Sequence, residues 1–304
     1  MWSFVVNLEL RSRVPMIQDG QTPNLLTFDI EGFIEASHDS LDVPGDYVSS
    51  HRQQEEIEVN TRAILELLAA AEQRATFFVL GRIARDLPAL VRQIVGAGHE
   101  LACHSLQHRR LYHFTAGEVR SFLSEAKHVL EDVSGQRVQG FRAPDFSITK
   151  TNAWTFDILR DLGFTYDSSV YPTSLHDAYG IGDFPRAPFR MVNGLVEFPM
   201  STVRILGANV PFGGGGYLRV YPLALTRWLC RHANRAGVPV IVYFHPSEMG
   251  RIVLPIRELG PVRRFRTYAG MAGAGDKLRV LLRSFHFIRM VDYLDRYPVQ
   301  ELAA

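Results

Sequence analysis

The sequence predicts an α/β fold in which parallel strands alternate with helices and curl into a (β/α) barrel. Short runs rich in β-branched and aromatic residues alternate along the chain with runs of helical periodicity. Such alternation is typical of a doubly wound sheet or a barrel. Side chains capable of catalysis follow the ends of several predicted strands, and a length of 304 residues is common for a single-domain barrel. The last two observations favour the barrel.

The predicted elements follow one another in regular order. Strands are predicted at residues 25–29, 75–80, 99–103, 138–142, 164–167, 195–199 and 238–244. Helices are predicted at residues 57–71, 90–95, 119–130, 151–162 and 223–236, with a final helix–strand pair at 277–291. Thr115 and Glu118 have the spacing of a capping box and predict where the third helix begins. Residues 39–54 and 250–275 are expected to be long loops.

The domain organisation is expected to be simple, with an N-terminal extension over residues 1–24 and a single domain over residues 25–298. No internal repeat or low-complexity segment interrupts the chain. The first residues lack the basic start of a signal peptide, and no stretch reaches the roughly 20 apolar residues of a membrane span. A cytoplasmic protein is therefore expected.

Composition and charge give little support for several classes of partner. A formal net charge of +1 does not favour nucleic acid or an anionic membrane as the main partner. Arg263, Arg264 and Arg266 form a basic cluster, which is either a local anion patch or a solvated loop face. Two cysteines are too few to indicate a disulfide framework, and the sequence does not define the oligomeric state.

Two histidines and two acids carry the strongest chemical signal. His104 and His108 are four residues apart, which would place both imidazoles on one face of a helical turn. Asp29 and Glu31 end the first predicted strand, where alternate side chains point the same way. Two histidines and one carboxylate supply the three protein ligands of a catalytic zinc site, and the second carboxylate is free to accept a proton from water. Unrelated surface histidines and a solvated strand end are the alternative.

Six motifs extend this signal along the chain. They are Thr27-Phe-Asp-Ile-Glu31, Ala75-Thr-Phe-Phe-Val-Leu80, Gly98-His-Glu100 with His104-Ser-Leu-Gln-His108, Gly140-Phe-Arg-Ala-Pro144, Tyr166-Asp-Ser-Ser169 and Val242-Tyr-Phe-His-Pro246. In order and spacing they resemble the motifs of polysaccharide deacetylases, the NodB-homology enzymes of carbohydrate esterase family 4. The resemblance covers about residues 25–248 and implies a distorted, NodB-like (β/α) barrel of about seven strands.

The resemblance also implies a role for each motif residue. Asp29 would be the general base, and Arg142 would orient and stabilise it. The divalent metal, usually zinc in this family, would be held by Glu31 together with His104 and His108. The general acid would be His245, with Asp167 as its orienting partner.

Two features distinguish this chain within the family. Glu31 stands where most members have aspartate, and its extra methylene moves the carboxylate and bears on metal identity. The glycine run in Phe212-Gly-Gly-Gly-Gly-Tyr217 resembles a stretch found in exopolysaccharide-locus deacetylases. It has no strand–helix phosphate-binding context, so it is interpreted as a mobile loop or a close-approach surface for substrate.

The expected function is metal-dependent hydrolysis of the N-acetyl group of an N-acetylhexosamine unit, with an N-acetylated carbohydrate as the substrate. One alternative keeps the fold and changes the bond, as in deformylation of a lipid-linked aminosugar or hydrolysis of a non-sugar amide. A carbohydrate-binding protein with an inactive site is a third possibility, but every expected ligand, base and acid is present.

Overall fold

The structure is a computed structural model that describes residues 22–44, 46–173, 181–182 and 184–302. The predicted N-terminal extension, residues 1–24, lies outside the described residues except for its last three. Among the described helices, none is long and apolar enough to cross a lipid bilayer.

The strands within the described residues form one large sheet and one small hairpin. They are β1 (Asn24–Ile30), β2 (Thr76–Val79), β3 (Glu100–Cys103), β4 (Gly140–Phe141), β5 (Tyr166–Asp167), β6 (Phe189–Arg190), β7 (Val196–Glu197), β8 (Thr202–Ile205), β9 (Ala208–Pro211), β10 (Ile241–Phe244), β11 (Phe287–Ile288) and β12 (Gln300–Glu301).

Seven parallel strands make up the body of the large sheet, which curls into a half-barrel. Their spatial order is β10-β1-β2-β3-β4-β5-β7, and every neighbouring pair in this series is parallel. The strand β11 adds to β1, and β6 pairs antiparallel with β7. The predicted barrel of about seven parallel strands is confirmed, and the hairpin β8–β9 is an addition that the sequence did not indicate.

Irregular backbone closes part of the gap between β7 and β10. The amide of Tyr243 in β10 donates to the carbonyl of Gly213 at 3.1 Å, and the amide of Ile241 donates to Ser201 Oγ at 2.7 Å. These contacts satisfy backbone donors that a neighbouring strand would satisfy in a regular barrel.

Helices pack between and beyond the strands. They are α1 (Phe33–Leu41), α2 (Ser50–Ala70), α3 (Gly81–Asp86), α4 (Pro88–Gly96), α5 (Ala116–Ser134), α6 (Thr155–Asp161), α7 (Gly215–Val220), α8 (Leu223–Arg235), α9 (Pro261–Tyr268), α10 (Met271–Ser284) and α11 (Met290–Arg296).

Both predicted long loops contain helix. Residues 39–54 include the end of α1 and the start of α2, and residues 250–275 include α9 and the start of α10. The sequence signal was weak for the two helices that bury few side chains: α1 buries Phe33 and Ile34 with one serine, and α9 buries none.

Strand alternation divides the side chains of β1 between two cores. Leu26 and Phe28 face the helices in the larger apolar cluster, whereas Leu25 belongs to the cluster inside the sheet's curve. Because side chains alternate along a strand, Thr27 and Asp29 share the inner face with Leu25. The inner face therefore changes from apolar to polar toward the carboxyl end of β1.

The capping box of α5 gives a direct test of the local sequence signal. Thr115 Oγ1 accepts from the amide of Glu118 at 3.4 Å, and Glu118 accepts from the amide of Thr115 at 2.8 Å. We expect Thr115→Ala to lower the free energy of unfolding by about 1 kcal/mol, because it removes the cap. Ser124→Ala, an exposed substitution inside the same helix, should stay within about 0.5 kcal/mol of wild type. Urea unfolding measures both, and equal losses would contradict a capping role.

Candidate active site

The candidate active site lies at the carboxyl ends of neighbouring strands. Asp29 is near the end of β1 and Glu31 follows it, while His104 follows β3, Arg142 follows β4 and His245 follows β10. These strands are close neighbours in the sheet, so their ends meet at one rim. The structure therefore brings these five predicted residues together.

Glu31, His104 and His108 form a buried cluster of three possible metal ligands. One carboxylate oxygen, Glu31 Oε2, lies 3.0 Å from Nε2 of His104 and 3.0 Å from Nε2 of His108. One ligand atom from each residue lies within 4.8 Å of the others. No other group of three or more such residues occurs in the part of the chain that the structure describes.

The histidine pair meets through a bend, so the predicted helical turn is wrong. Residues 104–110 are not helical, and Ser105 has a φ of 72°, in the left-handed region. The carbonyl of Ser105 accepts from the amide of Gly81 at 2.9 Å, which ties the bend to the start of α3. The two imidazole rings nevertheless lie with their centroids 5.6 Å apart. The spacing correctly predicted that the two rings lie close together, but it did not predict the backbone conformation that brings them there.

The hydrogen bonding of His104 tests whether a cation fits this cluster. Its Nδ1 lies 2.8 Å from the carbonyl oxygen of Arg142, an acceptor, so Nδ1 carries a proton. In a neutral ring Nε2 then presents a lone pair to Glu31 Oε2 at 3.0 Å, a repulsive contact. A second proton or a shared cation removes the repulsion. Ligand bonds of about 2 Å suit donors gathered this closely, so a metal ion fits the three residues.

The charges around Glu31 favour a positive species at the same place. Burial disfavours the Glu31 carboxylate, but His108 and His245 hold the pKa of Glu31 well below its usual range. Burial also opposes protonation of His108, whereas the Glu31 charge raises the pKa of His108 to about 9. The carboxylate thus attracts positive charge, as ring protons or as a divalent cation among the three donors.

Arg142 holds Asp29 in a fully buried ion pair. Its Nη1 donates to Asp29 Oδ1 at 2.6 Å and to Thr27 Oγ1 at 2.9 Å. Its Nε donates to the carbonyl of Ser168 at 3.1 Å, and its carbon Cζ lies 4.1 Å from the ring centroid of Phe78. The guanidinium is therefore satisfied without water, and Asp29 has a fixed orientation.

His245 is oriented by Glu248, a residue that the sequence analysis missed. His245 Nδ1 lies 3.1 Å from Glu248 Oε2, and the backbone amide of His245 donates to the same oxygen at 3.0 Å. Its Nε2 lies 3.5 Å from Glu31 Oε1, so the ring faces the cluster. Arg219 Nε lies 2.9 Å from Glu248 Oε1 and holds that carboxylate from the far side. The three-residue interval of a capping box, between His245 and Glu248, was the available signal.

Asp167 takes a different position from the one expected. Instead of contacting His245, its carboxylate accepts from the amide of Ser169 at 3.1 Å and from Ser169 Oγ at 2.6 Å. Ser169 Oγ in turn accepts from the amide of Ala143 at 2.8 Å. The predicted pairing of Asp167 with His245 is thus corrected, because β5 points this carboxylate toward the segment that carries Arg142.

A second buried carboxyl group lies beside Asp167. Residues Asp167 and Glu197 are register partners in adjacent parallel strands, and both are fully buried. Burial raises the pKa of Asp167 and, with the Asp167 charge, raises the pKa of Glu197 well above its usual range. The raised pKa values favour one shared proton, and the pair then links β5 to β7 by a side-chain hydrogen bond.

The glycine run packs against the residues that hold His245. A methyl group on Gly215 would lie 1.9 Å from Glu248 Oε2, and one on Gly214 would lie 2.4 Å from the Tyr243 hydroxyl. The sequence left open a mobile loop or a close-approach surface for substrate, and the structure instead shows a close approach within the protein. The approaching partner is the protein's own catalytic rim.

Scaffold and site together define a class of protein: α/β barrels that carry buried carboxylates, imidazoles and a possible metal-binding cluster at one rim. Comparison with known families places the chain within it. Residues 46–166 match the family model described as Polysaccharide deacetylase, and residues 168–295 match a Domain of unknown function (DUF3473). The chain therefore contains a polysaccharide deacetylase domain, as its motifs predicted.

Individual relatives support the same assignment. A chitooligosaccharide deacetylase from Azorhizobium caulinodans is 35% identical over 100 residues, which is 33% of this chain and 45% of the relative. The chain spans less than half the length of the curated relatives that it matches first.

Two solved structures share the fold over nearly their whole length. A Mycobacterium smegmatis protein described as a polysaccharide deacetylase has a TM-score of 0.63 and 21% identity, covering 96% of this chain and 98% of its own. The Puue allantoinase has a TM-score of 0.62 and 16% identity, covering 94% and 95%.

Adjacent glycines allow a matched test of the His245–Glu248 contact. Burial lowers the pKa of His245, whereas the Glu31 charge and the Glu248 contact raise it, to about 9. We expect Gly215→Ala to displace Glu248 and so to lower the pKa of His245, measured by NMR titration of the metal-free protein. A methyl group on Gly216 meets nothing closer than Arg219 Nη2 at 3.9 Å, so Gly216→Ala should leave the titration unchanged. The same pKa in both variants would show that Glu248 does not hold the ring.

Proposed function

We propose that this protein is a metal-dependent amide hydrolase that removes N-acetyl groups from N-acetylhexosamine units of a polysaccharide or its precursor. One observation carries the proposal. An arginine-held carboxylate (Asp29), a three-donor cluster containing Glu31 and a carboxylate-held imidazole (His245) converge at one rim of the barrel. Amide hydrolysis needs these three functions: a base for water, polarisation of the carbonyl and an acid for the leaving amine.

Asp29 serves as the general base. Arg142 occupies its Oδ1 at 2.6 Å, so the second carboxylate oxygen remains to take a proton from the attacking water. Asp29 lies on the inner face of β1, two residues before Glu31, and both side chains reach the same rim. Positioned bases of this kind contribute about 10²- to 10⁴-fold to a rate.

His245 serves as the general acid. Glu248 accepts the Nδ1 proton, so the second ring proton lies on Nε2, which faces the Glu31 cluster. From there Nε2 donates its proton to the amide nitrogen as the carbon–nitrogen bond breaks, and acetate and the free amine are released. Glu248 stabilises the charged ring before transfer and fixes its orientation throughout.

The metal would be held by Glu31, His104 and His108, and we propose zinc because two imidazoles and one carboxylate match its common catalytic ligand set. When bound, zinc supplies Lewis-acid polarisation of the carbonyl and increases the acidity of water. The carbonyl of Arg142 fixes the tautomer of His104 that leaves Nε2 free to bind the ion.

A cavity that borders one member of the cluster, His108, offers hydrogen-bonding groups to a neutral sugar, although Asp29, Glu31 and His245 are not among its lining residues. It has a volume of about 300 Å³, borders His108, and is lined by Ser50, Gln54 and Gln107 among other side chains. Its charged side chains are paired: Arg82 contacts both Glu35 and Asp86. Amides and hydroxyls both donate and accept hydrogen bonds, as sugar hydroxyls do.

Two narrower assignments rest on the sequence. The glycine run and motif order support a role in exopolysaccharide synthesis, and the cytoplasmic location stays a prediction.

A second candidate function, removal of a formyl group from a lipid-linked aminosugar, uses the same groups. Acetylated and formylated aminosugars compared side by side distinguish the two, and hydrolysis of the formylated series alone would favour the second.

Loss of the base should sharply reduce turnover, and because it also removes one partner of the buried Arg142 ion pair, the thermal unfolding midpoint is measured to confirm that the variant folds. We expect Asp29→Asn to reduce acetate release from chitooligosaccharides by about 10²- to 10⁴-fold, because the amide cannot accept the proton. Asp132→Asn, the same change on the exposed face of α5, should retain wild-type activity. Wild-type turnover by Asp29→Asn would exclude Asp29 as the base.

Metal dependence has a readout that does not require turnover. Elemental analysis of the purified protein should find about one zinc per chain, as a single three-ligand site requires. Glu31→Gln should lower this content, whereas Glu55→Gln, an exposed control on α2, should not. A chelator should remove both the zinc and acetate release, and added zinc should restore them. Full activity of the metal-free protein would refute the proposal.

A further inference from the structure

The helix α9 stands on the protein surface with an unusual composition. It spans Pro261–Tyr268, has the sequence PVRRFRTY, and buries none of its side chains. Two apolar side chains one turn apart are largely exposed, Val262 at 71% and Phe265 at 63%. Exposed apolar side chains that lie next to one another on a surface are a feature of interaction sites.

Positive charge is concentrated on the same helix. Arg263, Arg264 and Arg266 are exposed, and α9 contains no acid. Residues 251–268 include five arginines and one glutamate, a formal charge of +4 in a chain whose total is +1. Within the part of the chain that the structure describes, none of the three helix arginines forms a salt bridge.

The helix is held at its C-terminal end only. Its last residue, Tyr268, packs its ring 5.7 Å from the ring of Phe33, and its hydroxyl bonds to the amide of Ile256 at 2.7 Å. Phe33 begins α1, two residues after Glu31. The C-terminal end of α9 is therefore anchored beside the segment that carries Glu31.

A second contact ties α9 to the same rim. Arg219 Nη1 donates to the carbonyl of Thr267 at 2.7 Å, and Arg219 Nε lies 2.9 Å from the Glu248 carboxylate. One guanidinium thus joins the end of α9 to the residue that holds His245.

We propose that α9 docks on an anionic phospholipid surface and holds the active-site rim toward it. Arginines beside exposed valine and phenylalanine are the elements of interfacial helices, whose apolar side chains enter the headgroup boundary while cations bind acidic headgroups. The positive charge of α9 is complementary to such a surface. A lipid surface also offers apolar contact to Val262 and Phe265, which a purely ionic partner does not. The sequence left the arginine cluster as either a local anion patch or a solvated loop face. The proposal favours the anion patch and names phospholipid headgroups as the anions.

The test is sedimentation of the full chain with vesicles. We expect binding to vesicles of phosphatidylcholine with phosphatidylglycerol, and at least about tenfold weaker binding to phosphatidylcholine alone. Binding should fall when salt is raised from about 0.1 to 1 M, because screening shortens the electrostatic range from about 10 to 3 Å. Vesicle binding is measured without turnover, so its outcome does not depend on the proposed activity.

Two variants separate the contribution of the arginines from that of the apolar side chains. The triple variant Arg263→Gln, Arg264→Gln, Arg266→Gln and the double variant Val262→Ser, Phe265→Ser should each weaken binding at least about tenfold. The control variant Arg92→Gln, Arg120→Gln, Arg137→Gln removes the same charge from the surface around α4 and α5 and should bind as wild type. Unchanged thermal unfolding midpoints confirm that all three fold.

Three results would overturn the proposal. The first is failure of the wild-type protein to bind anionic vesicles, and the second is wild-type binding by either α9 variant. The third is arginine-dependent binding that ignores Val262 and Phe265 and is matched by a short DNA oligonucleotide, which would identify a general polyanion patch.

Discussion

The buried guanidinium of Arg142 is the interaction on which the site depends. Its side chain holds Asp29, while its backbone carbonyl fixes the tautomer of His104. One residue therefore sets both the orientation of the base and the availability of a metal ligand. Burying a charge costs several kcal/mol, which the Asp29 ion pair, the bonds to Thr27 and Ser168 and the ring of Phe78 offset. Removing one partner of such a pair typically costs about 3–5 kcal/mol.

Much of this architecture could be read from the sequence because it depends on local periodicity and on strand ends. The seven parallel strands follow from short apolar runs, and residues at their carboxyl ends meet because parallel strands share one rim. That is why Asp29, Glu31, His104, Arg142 and His245 could be selected together. Helix α9 escaped prediction because only two apolar residues, Val262 and Phe265, mark its period among three arginines, and the fold buries neither of them.

The errors concern the tertiary contacts between those residues. The spacing of the histidine pair suggested a helical turn. The two rings are instead brought together by a bend in which Ser105 adopts the left-handed region. The partner of His245 was misassigned because Asp167 and Glu248 both belong to motif-like segments. Only the direction of β5 and the close approach of Gly215 decide between them. Such contacts join residues far apart in the chain, and no local pattern encodes them.

The boundary between the two family matches has a consequence for how this protein can be divided. It falls at residue 167, inside a sheet that continues from β5 to β7 and includes β10 next to β1. A fragment ending there would keep His104, His108 and Arg142 but lose His245 and leave β1 with an open edge. Unpaired strand edges promote aggregation. The two matched segments thus share one sheet, and we expect that neither folds as an independent module.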